Sequence, residues 1–409
     1  MAALTLKVAL WVCLGAIAYN YVGYPTLLYL LATLAQAKSN LVFLIKRKSR
    51  RQPTASSYQP QIAILISAFN EEAVIETRIK NLLEVDYPED LVDVLIGLDA
   101  PTDSTAQILS RFESPRVRVF TFPIRRGKLA VISDLAHRTS AQILIFTDAN
   151  TLFRPDCVRN LVRHFDDPKV GAVSGEEIRV APPNTDPAGE SLYWRYESAL
   201  KILESRTQCL HSANGGVYAI RRELFRPQPN LIIEDLQIAL DVRFQGYRVI
   251  YDPDAVAVEE IAPTFTSQFE RRIRLGAGDF QTLFGYPQYL NPFKGVPAFA
   301  YWSHRVLRWL TPFSLIVAFA CSAGLFLNLT YRSLFFAQCT FYAMALLGYW
   351  KEREGGSSRL FRLPFYFCSM NTAYIFGLAR YLSGRQSVAW AATPRQAAVK
   401  VAPFNITER

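Results

Sequence analysis

Apolar and polar positions divide this chain into three stretches. Val8 to Ala35 is almost wholly apolar, broken by Asn20, Pro25 and a few hydroxyl side chains. As a helix it is long enough to cross a hydrocarbon core of about 30 Å. Ala35-Gln36-Ala37 has the small residues of a signal cleavage site, but the apolar run is too long for a signal peptide. Lys46-Arg47-Lys48-Ser49-Arg50-Arg51 follows closely, and basic residues beside a span stay on the cytoplasmic side. The pattern predicts a retained anchor, with Gln52 to Pro60 as a linker into a cytoplasmic domain.

From Gln61 to about Pro263 short β-branched runs alternate with helical stretches. Ile62–Ala68, Val92–Leu98, Val117–Phe122 and Ile143–Thr147 read as strands. Helices are expected through about Glu84, from Arg125-Arg126-Gly127-Lys128, from near Pro155, and from Leu236 to Phe244. Such alternation predicts an α/β fold built on a mainly parallel sheet. The second strand ends at Asp99 and the fourth runs into Asp148-Ala149-Asn150. Carboxylates at the carboxyl ends of strands stand in the crevice where open α/β sheets bind ligands. An acid and an amide two residues apart on extended backbone can face one hard cation. Taken alone, the same residues read more readily as a turn or helix cap, where Asp and Asn are the usual residues.

The carboxyl-terminal third is again apolar. Ser267 to Leu283 is amphipathic and basic, the pattern of a helix lying at a membrane surface. Leu307–Leu329, Leu334–Trp350 and Leu363–Leu382 are further apolar segments. Four spans would put the tail outside, whereas Arg385, Arg395, Lys400 and Arg409 favour the inside; both topologies stay open. The organisation expected is an anchor and basic linker (1–60), an α/β domain (61–263), interfacial helices (264–296), and a carboxyl-terminal transmembrane region with tail (297–409).

Composition narrows the class. Over 409 residues, half are apolar and the formal net charge is +10, which suits either a membrane protein or a nucleic-acid binder. The apolar residues concentrate at the two ends and the basic residues cluster beside them. A lipid bilayer is therefore the expected partner and nucleic acid is not. Six cysteines at 13, 157, 209, 321, 339 and 368 have no paired spacing, so neither a disulfide framework nor a zinc site is indicated.

The order of motifs resembles the membrane-bound family 2 glycosyltransferases of GT-A (Rossmann-like) fold. Ile64-Leu65-Ile66-Ser67-Ala68-Phe69-Asn70-Glu71-Glu72 resembles the family's opening strand, with Asn70 and Glu72 on the donor side. Asp99 with Asp103-Ser104-Thr105 resembles the motif whose first Asp helps hold the donor's base. Arg126-Gly127-Lys128 resembles the element beside the nucleotide, and Thr147-Asp148-Ala149-Asn150 the metal-binding Asp-x-Asp, with Asn in place of the second acid. Asn214-Gly215-Gly216 resembles an acceptor-side loop, and Ile233-Glu234-Asp235 the catalytic-base motif. Gln268 and Arg271 match the Gln-x-x-Arg-Trp of processive polymer synthases, but Arg272 stands where they have Trp. Trp390-Ala391-Ala392-Thr393-Pro394-Arg395 resembles a tail motif of polysaccharide-synthesising relatives.

The resemblance implies a metal-dependent, inverting enzyme of the cell membrane with its catalytic domain in the cytoplasm. It would transfer a sugar from a nucleoside-diphosphate donor, expected to be a UDP-sugar, to a lipid or glycan acceptor. Asp235, with Glu234, would be the catalytic pair. Asp148 and Asn150 would hold Mg²⁺ or Mn²⁺, while Asn70, Glu72, Asp99, Lys128, Asp148, Gln268, Arg271 and Arg272 would line the donor. Asn214, Gly215, Gly216 and Trp390 would face the acceptor. Departing pyrophosphate needs cations and an acceptor hydroxyl needs a base, so these residue types suit the chemistry. A processive polysaccharide synthase is the alternative, and an inactive scaffold in a glycan export complex is the non-enzyme alternative.

Overall fold

The first apolar stretch folds as two helices run end to end. They are α1 (Ala2–Ala18) and α2 (Tyr24–Lys46), joined by a π-helical turn over Tyr19–Gly23. Pro25, the second residue of α2, follows directly on that π-helical turn, and its missing N–H interrupts the ladder where the winding changes. Asn20, the polar interruption, is buried and donates to the Ser303 carbonyl at 2.9 Å. The computed structural model describes residues 1–46, 58–180, 188–228, 230–260, 264–353 and 359–388. The basic run after Lys46 and the tail carrying Trp390 lie outside the described residues.

Among the described residues eight strands follow: β1 (Ile62–Ala68), β2 (Val92–Asp99), β3 (Val117–Phe122), β4 (Ile143–Thr147), β5 (Thr151–Phe153), β6 (Val170–Val180), β7 (Tyr218–Arg221) and β8 (Arg248–Glu260). Between them come helices α3 (Ile75–Leu83), α4 (Thr105–Leu109), α5 (Lys128–His137), α6 (Cys157–Val162), α7 (Ala188–Arg206) and α8 (Asp235–Phe244). The last helices are α9 (Phe265–Gly285), α10 (Val296–Ala300), α11 (Leu307–Gly324), α12 (Leu329–Arg353) and α13 (Arg359–Leu382).

The chain divides into two compact units. One comprises Met1–Gln36, Asp186–Leu203 and Phe269–Gln386, and the other Ala37–Thr185, Glu204–Gln268 and Ser387–Arg409. In the first, helical unit, Leu10 of α1 packs with Ala318, Cys321 and Leu325. Glu197, buried on α7, is paired with Arg308 and lies 3.6 Å from His304. Among the described residues two helical stretches, Ala2–Leu41 and Val296–Gly324, are long and apolar enough to cross a membrane.

The second unit is built on a single sheet of order β3-β2-β1-β4-β7-β6-β8-β5. The sheet is mixed. β1, β2, β3 and β4 pair in parallel, as sequence alternation predicts, but β7 runs antiparallel to both β4 and β6, and β5 antiparallel to β8. The parallel half reads clearly because strands covered on both faces are continuous apolar runs; Ile62, Ile64, Ile66, Ile143 and Ile145 are all fully buried. Because β2 and β4 flank β1, the strand order turns outward at β1, and ligand crevices form at such switch points beyond the carboxyl ends.

Gly175 marks an irregularity in the β6–β8 register, and a Cβ there would lie 2.3 Å from the Ala255 carbonyl oxygen. Backbone cannot move aside as a flexible side chain can. Gly175→Ala is therefore expected to cost about 1–3 kcal/mol by overpacking. Thermal unfolding should show a midpoint several degrees lower; an unchanged midpoint would mean that the strands separate freely at this point.

Candidate active site

Three turns at the carboxyl ends of β1, β2 and β4 form the candidate site within the α/β unit. The first two are stapled together. Asn70 Oδ1 accepts from the Thr102 amide at 2.9 Å while its Nδ2 donates to Thr102 Oγ1 at 2.8 Å. Glu72 accepts from the Ser104 amide at 3.0 Å, and the Glu72 amide donates to Asp103 at 3.1 Å. Asn70 (φ 54°) and Ala100 (φ 56°) both sit in the left-handed region, which asparagine tolerates better than most residues and alanine poorly. Backbone strain thus gathers at this rim.

Asp99 serves the next turn. Its two carboxylate oxygens accept from the Arg126 and Gly127 amides, each at 2.8 Å. Gly127 has φ 88°, a conformation that suits glycine, and it starts α5. The Arg125 guanidinium lies 3.5 Å from the centroid of the Phe69 ring, joining this turn to the first.

Lys128 then opens α5, where the helix dipole disfavours a cation. Two carboxylates offset that. Lys128 Nζ is 2.7 Å from Asp148 Oδ1 and 2.5 Å from Glu234 Oε1. The lysine is buried rather than solvated. Burial works against its charge, but Asp148 and Glu234 outweigh it and hold the ammonium above the ordinary lysine range.

Glu234 is the N-cap of α8 and Asp235 its first residue, with Asp235 Oδ1 accepting from the Leu236 amide at 2.9 Å. The 214–216 loop comes close to it. A Cβ at Gly215 would lie 3.2 Å from Asp235 Oδ2, and one at Gly216 would lie 2.9 Å from Thr151 Oγ1. Asn214 is tied to β6, its Nδ2 donating to the Gly175 carbonyl at 2.6 Å. Tyr218 stacks on Phe146 with ring centroids 4.7 Å apart. Its hydroxyl is buried with no hydrogen-bond partner among the described residues. Burial, then Glu234, Asp235 and Asp148, push this phenol well above its ordinary range.

Lys128, Asp148, Glu234, Asp235 and Gly215 therefore gather at one place, and Asp99 supports them from the neighbouring turn. Gln268 lies in the first turn of α9 at the end of the α/β unit's range, while Arg271 and Arg272 belong to the helical unit. There the Arg272 guanidinium donates to the Tyr366 hydroxyl and stands 4.8 Å from that ring's centroid and 5.9 Å from that of Tyr193.

One ammonium among three carboxylates at a sheet switch point is net negative, so a diphosphate-bearing ligand would have to be accompanied by a cation here. The comparison with known proteins agrees: residues 63–226 match the family described as Glycosyl transferase family 2. The chain carries a family 2 glycosyltransferase domain. Among curated relatives, poly-beta-1,6-N-acetyl-D-glucosamine synthase of Staphylococcus epidermidis is 21% identical over 54% of this chain and 55% of its own. Beta-monoglucosyldiacylglycerol synthase of Synechocystis is 26% identical over 64% of this chain and 62% of its own. The chain thus spans little more than half the length of the curated relatives it matches. A solved mannosyltransferase of Pyrobaculum calidifontis, in complex with GDP-Man and Mn2+, aligns over 92% of this chain and 99% of its own, with a TM-score of 0.66 and 22% identity. The glycosyltransferase domain has a GT-A-like mixed-sheet α/β fold.

Its residues fit a divalent cation. Asn150 Nδ2 donates to Glu259 Oε1 at 3.3 Å; only the amide's nitrogen end can bond a carboxylate, which leaves the carbonyl oxygen as an acceptor. With the Asp148 carboxylate, that makes an oxygen donor set suited to Mg²⁺ or Mn²⁺.

Sequence reading missed the layer beneath. Arg78 on α3 is fully buried and donates to Thr147 Oγ1 at 2.8 Å and to Asn81 Oδ1 at 2.7 Å. Burial pushes its guanidinium down to about 9, opposed by Cys157 and Asp148, so it remains charged at neutral pH. A signal was present: Ile75, Arg78, Ile79 and Leu82 are the buried residues of α3, at helical spacing. The charged residue occupies the apolar stripe.

Lys128→Met would leave a buried and a half-buried carboxylate without their shared cation, at a cost of about 3–5 kcal/mol. Because the folded lysine titrates above its unfolded value, its stabilisation is complete below the ordinary lysine pKa and is lost only as pH rises through the raised one. The lower thermal midpoint should therefore appear at pH 7 and pH 9 alike, with Lys128→Arg losing less. An unchanged midpoint for Lys128→Met would contradict the pairing.

Proposed function

We propose that this protein is an integral membrane, inverting glycosyltransferase. It would move a sugar from a nucleoside-diphosphate donor, a UDP-sugar by expectation, to a membrane-associated lipid or glycan acceptor. The observation that carries the reading is the shared buried lysine between Asp148 and Glu234, next to the Asp235 carboxylate. Transfer separates an acceptor proton from a departing diphosphate that gains a negative charge, so the site must offer a base and fixed positive charge at opposite ends.

Asp235 is the base. The acceptor hydroxyl gives its proton to the Asp235 carboxylate while its oxygen bonds to the anomeric carbon. The bond from that carbon to the diphosphate oxygen breaks, and its electron pair leaves with the diphosphate. Lys128 supplies a preorganised positive charge facing the departing group, and Asp99 fixes the turn that carries it. Asp148 and the Asn150 side-chain carbonyl would hold a divalent cation, which would supply Lewis-acid neutralisation of that diphosphate. Glu234 shares Lys128 and holds the start of α8, and with it Asp235, in place. The stapled Asn70 and Glu72 turns shape the donor's base and ribose end.

The two candidate spans and the apolar ends support a bilayer location with the α/β unit in the cytoplasm. Single-sugar transfer to a lipid is favoured over polymer extension by Arg272. Arg272 stands in the sequence where processive synthases have Trp, and it engages Tyr193 and Tyr366 within the helical unit. The match to a glycolipid synthase is consistent with this reading, although matched polymer synthases support the other.

Purified protein in lipid, screened against UDP- and GDP-sugars with Mn²⁺ or Mg²⁺, should yield a short lipid-extractable product. Asp235→Asn should lower turnover at least roughly 10²-fold, the usual scale for a lost general base, and chelation should abolish it. A long water-soluble polymer would overturn the single-transfer reading. Equal turnover in wild type and Asp235→Asn would overturn the catalytic assignment.

A further inference from the structure

We propose that Arg78 is a positioning residue for the transfer site, acting through Thr147 and Asn81 to hold the turn that carries Asp148 and Asn150. This rests on the glycosyltransferase reading above. The geometry is a clasp from one helix onto both ends of one turn. Arg78 Nη2 donates to Thr147 Oγ1 at 2.8 Å, directly before Asp148. Its Nη1 donates to Asn81 Oδ1 at 2.7 Å. Asn81 closes the far end: its Oδ1 accepts from the Phe153 amide and its Nδ2 donates to the Phe153 carbonyl, both at 2.8 Å. The guanidinium also lies 4.3 Å from the centroid of the Phe153 ring.

Arg78, Thr147 and Phe153 are 0%, 1% and 0% exposed and Asn81 is half-buried, so the Arg78–Thr147 bond in particular is shielded from water. Among the described residues no carboxylate stands within ion-pair distance of Arg78. A fully buried cation without an acid partner is unfavourable, and an apolar side chain of similar volume would cost less. Stability alone thus gives no reason for arginine here. A planar fork with donors on two nitrogens does, because it can reach a strand-end hydroxyl and a side-chain carbonyl simultaneously. Lysine, with one nitrogen, cannot reproduce that span. The residues so held, Asp148 and Asn150, are those whose oxygen atoms must be fixed for metal and diphosphate.

The test is a double-mutant cycle on full-length protein in lipid, with Arg78→Met, Thr147→Val and the pair, plus Arg78→Lys. Turnover, donor KM, acceptor KM, Mn²⁺ affinity and thermal midpoint would be measured for each. Each single variant should lose roughly 10–100-fold in kcat or Mn²⁺ affinity, the range for residues that orient metal ligands, with acceptor KM unchanged. The double variant should be no worse than the worse single one, as expected for one shared interaction, and Arg78→Lys should not rescue. Thr147→Val keeps the side chain's shape and carries the cycle's decisive arm if Arg78→Met does not fold. A lowered midpoint with unchanged kcat and Mn²⁺ affinity, rescue by lysine, or multiplying effects would overturn the proposal. If wild type turned over no donor, the reading beneath would fall and this proposal with it; full wild-type turnover with indifferent variants would remove Arg78 alone.

Discussion

One buried ammonium organises the α/β unit. Lys128 begins a helix at the end disfavoured for cations, yet it is retained there by Asp148, which follows β4, and Glu234, which caps α8. Each of these charges would be costly to bury singly; together they are compensated only if all three turns are held to within tenths of an ångström. Much of the local architecture can be understood as meeting that condition. Asp99 holds the backbone immediately before Lys128. Arg78 and Asn81 hold both ends of the Asp148 turn. Gly215 brings the loop of Asn214 close enough that a side chain would meet Asp235.

That arrangement has a chemical consequence. Groups that stabilise charge in a transition state act best when already oriented and shielded from water. Here the positive charge is fixed by ion pairs and the neighbouring turns by backbone hydrogen bonds, so little reorganisation is left for the reacting step. The same network places one carboxylate, Asp235, adjacent to Glu234 on the same helix start. Two neighbouring acids thus differ in their bonding: Glu234 is paired with lysine, whereas Asp235 accepts from the Leu236 amide.

The parallel half of the sheet and the acids at its edge were legible in the sequence, for physical reasons. Strands covered on both faces must be continuously apolar, so Val92–Leu98 and Ile143–Thr147 stand out, and Asp99 and Asp148 are conspicuous where those runs stop. The other half of the sheet, in which β7 and β5 run against their neighbours, was not legible. β6 and β8 carry Glu177, Arg179, Asp252 and Glu259, which pair with one another or with neighbouring residues, interrupting the apolar pattern. β5 is three residues long, and β7 lies inside a stretch that reads as a loop. The ion pairs of Lys128 join distant parts of the chain, which no local pattern encodes. Asp99 was legible as a site residue, but the Arg126 and Gly127 amides that it holds were not. Arg78 was legible in principle, as a charge within a buried helical stripe.

The most direct test of this account is calorimetric binding of UDP and GDP to the purified protein, with and without Mn²⁺. The account predicts nucleoside-diphosphate binding that requires Mn²⁺, is weakened at least tenfold by Asp148→Asn and by Lys128→Met, and survives Asp235→Asn. Binding indifferent to the metal and to both of the first two substitutions would contradict the claim that this lysine-centred cluster is where the donor is held.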